Sequence, residues 1–418
     1  MLHDYLWAIK LGELNGYILS PSLLDRVRQA GEFLHQLQDE QSGCVPNYGA
    51  NDGALILPLN TCDYKDFRPV LGSIHYLFNK TRLYEHGPWE EDLVWLFGPE
   101  VLEAQGEVVE LKSLQAPVGG YYTLRTGKSW GMIRCTTFRD RPAQPDMLHL
   151  DVWRSGVNVA CDAGSYRYFV EPRWNKALSA TQVHNTVSVD GKDQMELGPR
   201  FTRLTWTESK LYYHLAARGG RLAYFEGAHY GYNRLQNQVT HRRAVLKAYE
   251  DTWIIVDDLV GDGTHDFRLH WLLADLPFTV EPEEMHVAVA TGKDRYGLSL
   301  RTCLPELVSG QFDVIRGTED SAPRGWQSSY YGVRDPAISV ALSLSATVPC
   351  RLVSVFAQEG RDNHLFVSTK QIRFENRDLQ LTANLLAPES SSIMQEVILD
   401  SPTEREHFMI GENRETPS

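Results

Sequence analysis

The sequence predicts an α+β multidomain protein in which a short helical part precedes a large antiparallel β-sandwich. Two observations indicate this division. Apolar residues recur at helical spacing through the first part of the chain, and beyond Gly119-Gly120 they alternate in short runs such as YYTLRT and WIIVDDLV. With 418 residues, of which 42% are hydrophobic, the chain is long enough for two or three domains with buried cores.

The helical part contains four predicted helices. The first starts near Leu2 without a capping residue, and Ser20-Pro21 begins the second. Two more are predicted, one around Val70–Phe78 and one that Gly98 closes. The sequence therefore predicts α-helical hairpins over residues 1–98.

The remainder of the chain predicts β-structure. A charged linker is expected over 99–118, a β-sandwich domain over 119–400 and a polar tail over 401–418. Many short strands separated by polar turns, without a convincing internal repeat, indicate a stacked antiparallel sandwich.

Composition excludes several classes of protein. The net charge of −13 argues against general nucleic-acid binding, and an anionic ligand would need a local basic patch. Six cysteines without CxxC spacing predict free thiols rather than a disulfide framework. The N-terminus lacks the basic and apolar regions of a signal peptide, and no run of apolar residues is long enough to predict a transmembrane segment.

The candidate chemistry is concentrated in three neighbouring predicted strands. His149 and Asp151 are two residues apart, so their side chains leave a strand on the same face. Asp162 ends the next predicted strand, and His184 begins the third. Two imidazoles and one carboxylate can bind a divalent metal such as zinc. The same residues also allow a second interpretation, in which the histidines are hydrogen-bonded sheet residues and Asp162 caps a turn.

These segments, MLHLD, DAGSY and HNTVSVDG, resemble the β-domain of the heparinase II/III-like polysaccharide lyases. NYGANDGALILPL and DFRPVL extend the resemblance into the helical part. It implies an incomplete (α/α) toroid followed by a β-sandwich, with a structural zinc held at the positions of His149, Asp162 and His184. Met147 stands where several members have a histidine, and a thioether cannot transfer a proton at neutral pH.

The resemblance further implies cleavage of an acidic, uronate-containing polysaccharide by β-elimination, in the periplasm or after secretion. The candidate catalytic residues are Tyr48, Tyr166 and His184. We expect the loop 47–53 to face Tyr166 across a cleft between the two domains. Trp174 is the predicted sugar-stacking residue, although core packing explains most tryptophans. The full predicted substrate-binding set is Asn47, Asn51, Asp52, Arg68, Arg167, Arg173 and Trp174.

The helical part also departs from the family. The Asn-His pair that binds the substrate carboxylate and the acid/base tyrosine lie on earlier toroid helices in the family, and this chain has no matching motifs. We therefore expect a truncated gene product with little or no lyase activity by itself. Apolar residues such as Leu2, Leu6 and Ile9 would then favour self-association into a homo-oligomer. The alternative function is a non-catalytic, glycan-binding or structural remnant that keeps the metal site.

Overall fold

The computed structural model describes residues 1–47, 49, 51–56, 58–140, 142, 144–199, 202–215, 221–303, 310–318, 323–360, 362–401 and 404–410. Each predicted helix is present, with α1 at Leu2–Leu14, α2 at Pro21–Gln36, α3 at Arg68–Asn79 and α4 at Glu91–Phe97. The Ser20 hydroxyl accepts the N–H of Leu23 at 3.3 Å and caps α2. Gly98, at φ 96°, ends α4 in a conformation that favours glycine.

The helices pack around a small apolar core of their own. Gly31 on α2 permits a close approach to α3, since a Cβ at this position would lie 2.6 Å from the Ile74 side chain. The buried apolar residues of this core are Leu6, Ile9, Val27, Ile74 and Leu77.

The β-part is a stack of antiparallel sheets, here numbered by strand in chain order. The first sheet runs β1 (Gln115–Ala116), β2 (Tyr121–Thr126), β3 (Ser129–Arg134), β4 (Leu150–Arg154), β5 (Val157–Ala160), β13 (Thr264–Leu273), β20 (Ile338–Thr347) and β17 (Gly310–Arg316), with β6 (Val187–Val189) paired to β13. The second runs β14 (Phe278–Glu281), β15 (His286–Thr291), β16 (Asp294–Thr302), β21 (Cys350–Gln358), β12 (Thr252–Gly261), β11 (Val239–Ala248), β10 (Leu222–Tyr232) and β9 (Ser209–Leu215).

A third sheet runs β22 (His364–Val367), β23 (Gln371–Glu375), β24 (Gln380–Leu385), β25 (Met394–Asp400) and β26 (Arg405–Met409). Two short hairpins pair β7 (Glu196–Leu197) with β8 (Arg203–Leu204) and β18 (Trp326–Gln327) with β19 (Asp335–Pro336).

The second sheet is the middle layer and is buried on both faces. Along β12, Trp253 and Ile255 pack into a core shared with the first sheet, whereas Ile254 and Val256 pack into a core shared with the third. Alternate side chains of a strand point to opposite faces, so the uninterrupted apolar run WIIV serves two cores at once. The predicted stacked sandwich is confirmed, with a third layer added.

The segments predicted as linker and tail contain regular secondary structure. The linker over 99–118 contains a 3₁₀ turn at Pro99–Glu103 and the strand β1. The tail predicted from residue 401 contains β26, which pairs with β25 because Phe408 and Ile410 bury apolar surface against the third sheet. Residues 411–418 lie outside the described part of the chain.

The helical part is joined to the first sheet by polar contacts. Arg125 Nη2 donates to the carbonyls of Gln36 and Gln38, at 2.9 and 2.8 Å, and so caps the C-terminal end of α2. Its guanidinium lies 3.9 Å from the ring centre of Trp130, whose indole N–H donates to Asp39 Oδ2 at 3.0 Å. These contacts fix the end of α2 against β2 and β3.

The remaining expectations concern thiols and membranes. All six cysteines are free, as predicted. A search of the helices in the described residues finds none with the length and apolar character needed to cross a membrane.

Candidate metal centre and neighbouring junction

The fold brings the three predicted metal-binding residues together. His149 precedes β4, Asp162 follows β5 and His184 precedes β6. Each offers a ligand atom within 4.8 Å of the other two, and all three side chains are buried. The predicted clustering is therefore present, while the metal itself stays a prediction.

Asp162 and His184 form a buried ion pair at the middle of this cluster. His184 Nδ1 lies 2.8 Å from Asp162 Oδ2, and His149 Nε2 lies 3.7 Å from the same oxygen. Burial raises the pKa of Asp162, but the charge and hydrogen bond of His184 outweigh burial and hold that pKa below its usual value. Burial lowers the pKa of His184, and Asp162 reverses the shift, so that the net pKa is raised.

Asp151 lies beside the cluster, as its spacing from His149 predicts. Its Oδ2 is 3.4 Å from His149 Nε2, and the side chain is fully buried. Burial raises the pKa of Asp151. A further carboxyl group thus faces the imidazole that would bind the cation.

Asn185 joins the segments that carry the three candidate ligands, and the sequence reasoning missed it. Its backbone N–H donates to His149 Nδ1 at 3.0 Å. Its side-chain Nδ2 donates to the carbonyls of Leu150 and Cys161, and its Oδ1 accepts the N–H of Leu272 at 2.7 Å. The signal was its position directly after a candidate ligand in HNTV, where a buried amide can satisfy several backbone groups.

The donor set suits a divalent cation. Two nitrogens and one carboxylate oxygen are the ligands that zinc prefers, and His184 Nε2 is buried without a hydrogen-bond partner among the described residues. Because His149 Nδ1 accepts a backbone N–H, the neutral imidazole carries its proton on Nε2. A cation bound at His149 Nε2 would replace that proton, which makes binding sensitive to pH.

The hydrogen bonds expected from the second interpretation are present as well. Asp162 Oδ1 accepts the N–H of Gly164 at 2.7 Å and so caps the turn that follows β5. The His270 ring bonds the carbonyl of His184 at 3.0 Å. The cluster is therefore ordered by its own hydrogen bonds as well.

The loop that leaves Asp162 reaches the helical part. Asn51 N donates to Ser165 Oγ at 3.1 Å, and Tyr330 Oη donates to the Gly53 carbonyl at 3.2 Å. The two segments expected on either side of a cleft are thus neighbours at the junction of the helical and β parts. The candidate Tyr48 lies outside the described residues.

Tyr166 and Arg167 form a hydrogen-bonded pair at this junction. Arg167 Nη2 donates to Tyr166 Oη at 2.6 Å, and this bond raises the pKa of the exposed guanidinium. Tyr166 has a left-handed φ of 63°, which is uncommon for a residue with a bulky side chain. Such strained conformations cluster at functional sites, and a tyrosine–arginine pair offers both a proton and a positive charge.

Two residues with predicted roles at the substrate are buried. His184 is fully buried and bonded to Asp162, so it cannot contact a polysaccharide as an acid or base. Trp174 is only 2% exposed, packs edge-on against Trp326 and is covered by the Arg334 guanidinium, 3.8 Å from its ring centre. Its faces are therefore unavailable for stacking on a sugar.

The Arg68 side chain also bonds to other protein groups. Its Nε and Nη2 donate to both carboxylate oxygens of Asp66, and its guanidinium lies 3.8 Å from the Trp89 ring centre. The arginine is a structural anchor of the loop that precedes α3, and its role in substrate binding stays a prediction.

The polar side chains of the loop that contains Asn51 and Asp52 mainly form hydrogen bonds within that loop. Asn51 Oδ1 accepts the N–H of Gly53 at 2.9 Å, and Asp52 Oδ1 accepts that of Ala54 at 3.3 Å. This is the turn chemistry that asparagine and aspartate commonly provide. Asn47 is half-buried, and the exposed Arg173 lies over the edge of the buried cluster around Trp174.

The structure points to other surface aromatics that the sequence reasoning did not single out. Phe169 is 86% exposed and Tyr168 is 38% exposed, on the same loop as Arg167. Tyr331 packs against Tyr168 with ring centres 5.4 Å apart. Met147, in contrast, is fully buried, and its sulfur accepts the N–H of Thr136 at 3.5 Å.

The family "Heparinase II/III-like, C-terminal" matches residues 110–373, and the chain belongs to this family. A heparin-sulfate lyase from Bacteroides stercoris is 24% identical over 254 residues, which cover 57% of this chain and 33% of that protein.

Solved structures show the same fold. A heparinase III is 16% identical with a TM-score of 0.67, over 97% of this chain and 56% of that one. The heparan sulfate lyase HepC from Pedobacter heparinus is 14% identical with a TM-score of 0.64, over 98% of this chain and 56% of that one. The chain thus spans a third of the curated relative and just over half of each solved structure.

Proposed function

We propose that this chain forms the β-sandwich part of a polysaccharide lyase that cleaves an acidic, uronate-containing polysaccharide by β-elimination. The observation that carries the proposal is the Tyr166–Arg167 pair, placed where the β-sandwich meets the helical part. Membership of the heparinase II/III-like family supports the reaction class.

The chemistry requires three groups around the sugar. A base removes the proton next to the carboxylate, a cation neutralises that carboxylate, and an acid protonates the oxygen that leaves. Arg167 is exposed and supplies the cation, which a chain with a net charge of −13 must provide locally. Tyr166 itself is only 5% exposed, and its Oη, which accepts a hydrogen bond from the exposed Arg167, is the candidate for the proton transfer.

We also propose that His149, Asp162 and His184 hold a structural zinc. When bound, the ion would cross-link three chain segments and so brace the loop that leads from Asp162 to Tyr166. The proposal is supported by the buried donor set and by the unpartnered His184 Nε2. The ion would take no part in the proton transfers.

We further propose that the helices α1–α4 are the end of an incomplete (α/α) toroid. They pack as hairpins around a separate core, and α2 is fixed to the β-part through Arg125. In this arrangement, the loop 51–53 forms the helical side of the cleft.

Binding and cleavage of a panel of uronate polysaccharides test the proposed function, with a neutral polysaccharide as control. We expect selective binding of uronate polymers, weakened by Arg167→Ala, together with a slow rise in ultraviolet absorbance from unsaturated uronate products. Tyr166→Phe should reduce that rise by roughly 10²–10⁴-fold. Selective binding without product would favour the non-catalytic alternative, and equal binding of the neutral polymer would contradict both.

A further inference from the structure

A buried arginine of the middle sheet reaches into the backbone of the candidate metal centre. Arg243 lies on β11 and is fully buried. Its Nη1 donates to the carbonyl of Leu148 at 2.7 Å and to that of Asn185 at 2.6 Å. These two residues directly adjoin the candidate ligands His149 and His184, so one guanidinium group contacts both ligand segments.

The guanidinium is itself held in a fixed orientation. Asp257 faces Arg243 across β11 and β12, and its carboxylate accepts Nε at 2.6 Å and Nη2 at 3.0 Å. Burial raises the pKa of Asp257, but Arg243 and His241 outweigh burial and hold it below the usual value. Two parallel hydrogen bonds of this kind fix the orientation of the guanidinium group as well as the position of its charge.

One of the two carbonyls belongs to a strained residue. Leu148 has a φ of 61°, in the left-handed region that a leucine rarely occupies. Its N–H donates to the Arg134 carbonyl at 2.7 Å, and its own carbonyl accepts from Arg243. Bonds on both sides of the residue therefore stabilise a backbone turn that sets the direction of His149.

The other carbonyl, that of Asn185, is linked to both candidate histidine ligands. Asn185 follows His184 in the chain, and its N–H donates to His149 Nδ1. A displacement of the Asn185 carbonyl would thus move one candidate ligand through the backbone and the other through a hydrogen bond.

We propose that Arg243, anchored by Asp257, is a positioning residue that sets the geometry of the metal centre from the opposite sheet. The inference rests on the proposed metal site, and it assigns Arg243 no contact with the ion or the polysaccharide. Groups that orient metal ligands in this way typically change metal affinity by roughly 10–100-fold when they are lost.

The chain contains a matched control on the other face of the same sheet. Arg351 Nε and Nη2 donate to both oxygens of the buried Asp258, at 2.6 and 2.7 Å. Its guanidinium also bonds the carbonyls of Thr369 and Leu386, beside the third sheet. Arg351 thus has the same bonding pattern as Arg243 but reaches away from the metal centre.

Zinc affinity and the urea midpoint should be compared in full-length Arg243→Lys and Arg351→Lys proteins. Lysine keeps the charge, but a single ammonium group cannot bond a carboxylate and two carbonyls in the same fork. We expect both variants to be destabilised, with zinc affinity lowered roughly 10–100-fold in Arg243→Lys and by less than about threefold in Arg351→Lys. Equal losses of affinity in both, or none in Arg243→Lys, would overturn the proposal.

Hydrogen exchange of the metal-free proteins separates this inference from the zinc proposal. Arg243→Lys should speed exchange in peptides that contain Leu148 and Asn185, and Arg351→Lys should not. If the unsubstituted protein binds no zinc, the zinc proposal fails, and unchanged exchange at these peptides would overturn the positioning role as well. Should Arg243→Lys fail to fold, Asp257→Asn provides the same comparison, with Asp258→Asn as its control.

Discussion

His184 belongs to the candidate metal centre and also contributes to the stability of the β-sandwich. Replacing it with alanine removes the nearer imidazole partner of the buried Asp162 carboxylate, and breaking a buried ion pair typically costs about 3–5 kcal/mol. We predict a lower unfolding midpoint for His184→Ala in the presence of a chelator, measured by urea denaturation. His364→Ala, at an exposed position, is the control and should leave the midpoint unchanged. An unchanged midpoint for both would show that the ion pair is absent in solution.

Two aromatic residues of one loop should behave oppositely. Trp174 is buried, so Trp174→Ala should destabilise the protein by about 3–5 kcal/mol. Phe169 is 86% exposed, so Phe169→Ala should leave stability nearly unchanged and weaken binding of the uronate polysaccharide. Thermal unfolding and affinity electrophoresis measure the two effects. A glycan-binding defect confined to Trp174→Ala at full stability would contradict the account.

The sequence predicts where residues lie on strands and turns better than it predicts which side chains are exposed. The two-residue spacing of His149 and Asp151 correctly indicates a shared face, and the turn before Gly164 correctly places Asp162 at a strand end. Burial of Trp174 depends on Trp326 and Arg334, which are distant in the chain. No local pattern carries that information.

At the scale of the element, the end of α2 should respond to acid. Burial, followed by the charges of His75 and Arg125, lowers the pKa of His35 from 6.5 to about 4. Because the unfolded chain then binds more protons between these values, stability falls as the pH drops from about 6.5 towards 4, by up to roughly 3 kcal/mol from this residue. His35→Gln should flatten the decline of the urea midpoint over this range, and the exposed His364→Gln should not. Parallel declines in all three proteins would contradict the lowered pKa.

Local signals predict the helices more fully than the strands. Ser20-Pro21 begins α2 and Gly98 ends α4, as their capping chemistry predicts. The strand β26 was missed because its five residues show little alternation, and only pairing with β25 makes it a strand. Strand formation of this kind depends on a partner, whereas a helix satisfies its own backbone.

At the scale of the molecule, the side chains of β12 point alternately to the first and third sheets, which explains why the stack has a middle layer. Asp257 points to the first sheet and holds Arg243, while the adjacent Asp258 points to the third sheet and holds Arg351. The sequence shows the two neighbouring aspartates, but their partners become known only from the order of the strands. The same order places Arg243 under the metal centre, which no spacing along the chain could indicate.

The most direct test of the account is the zinc content of protein purified without chelator and then dialysed against trace zinc. We predict about one zinc ion per chain, lost in His149→Ala and Asp162→Asn and kept in His364→Ala. Removal of the ion by a chelator should lower the melting temperature of the unsubstituted protein. Zinc far below one equivalent, with a melting temperature that the chelator leaves unchanged, would show that His149, Asp162 and His184 are a hydrogen-bonded cluster and not a metal centre.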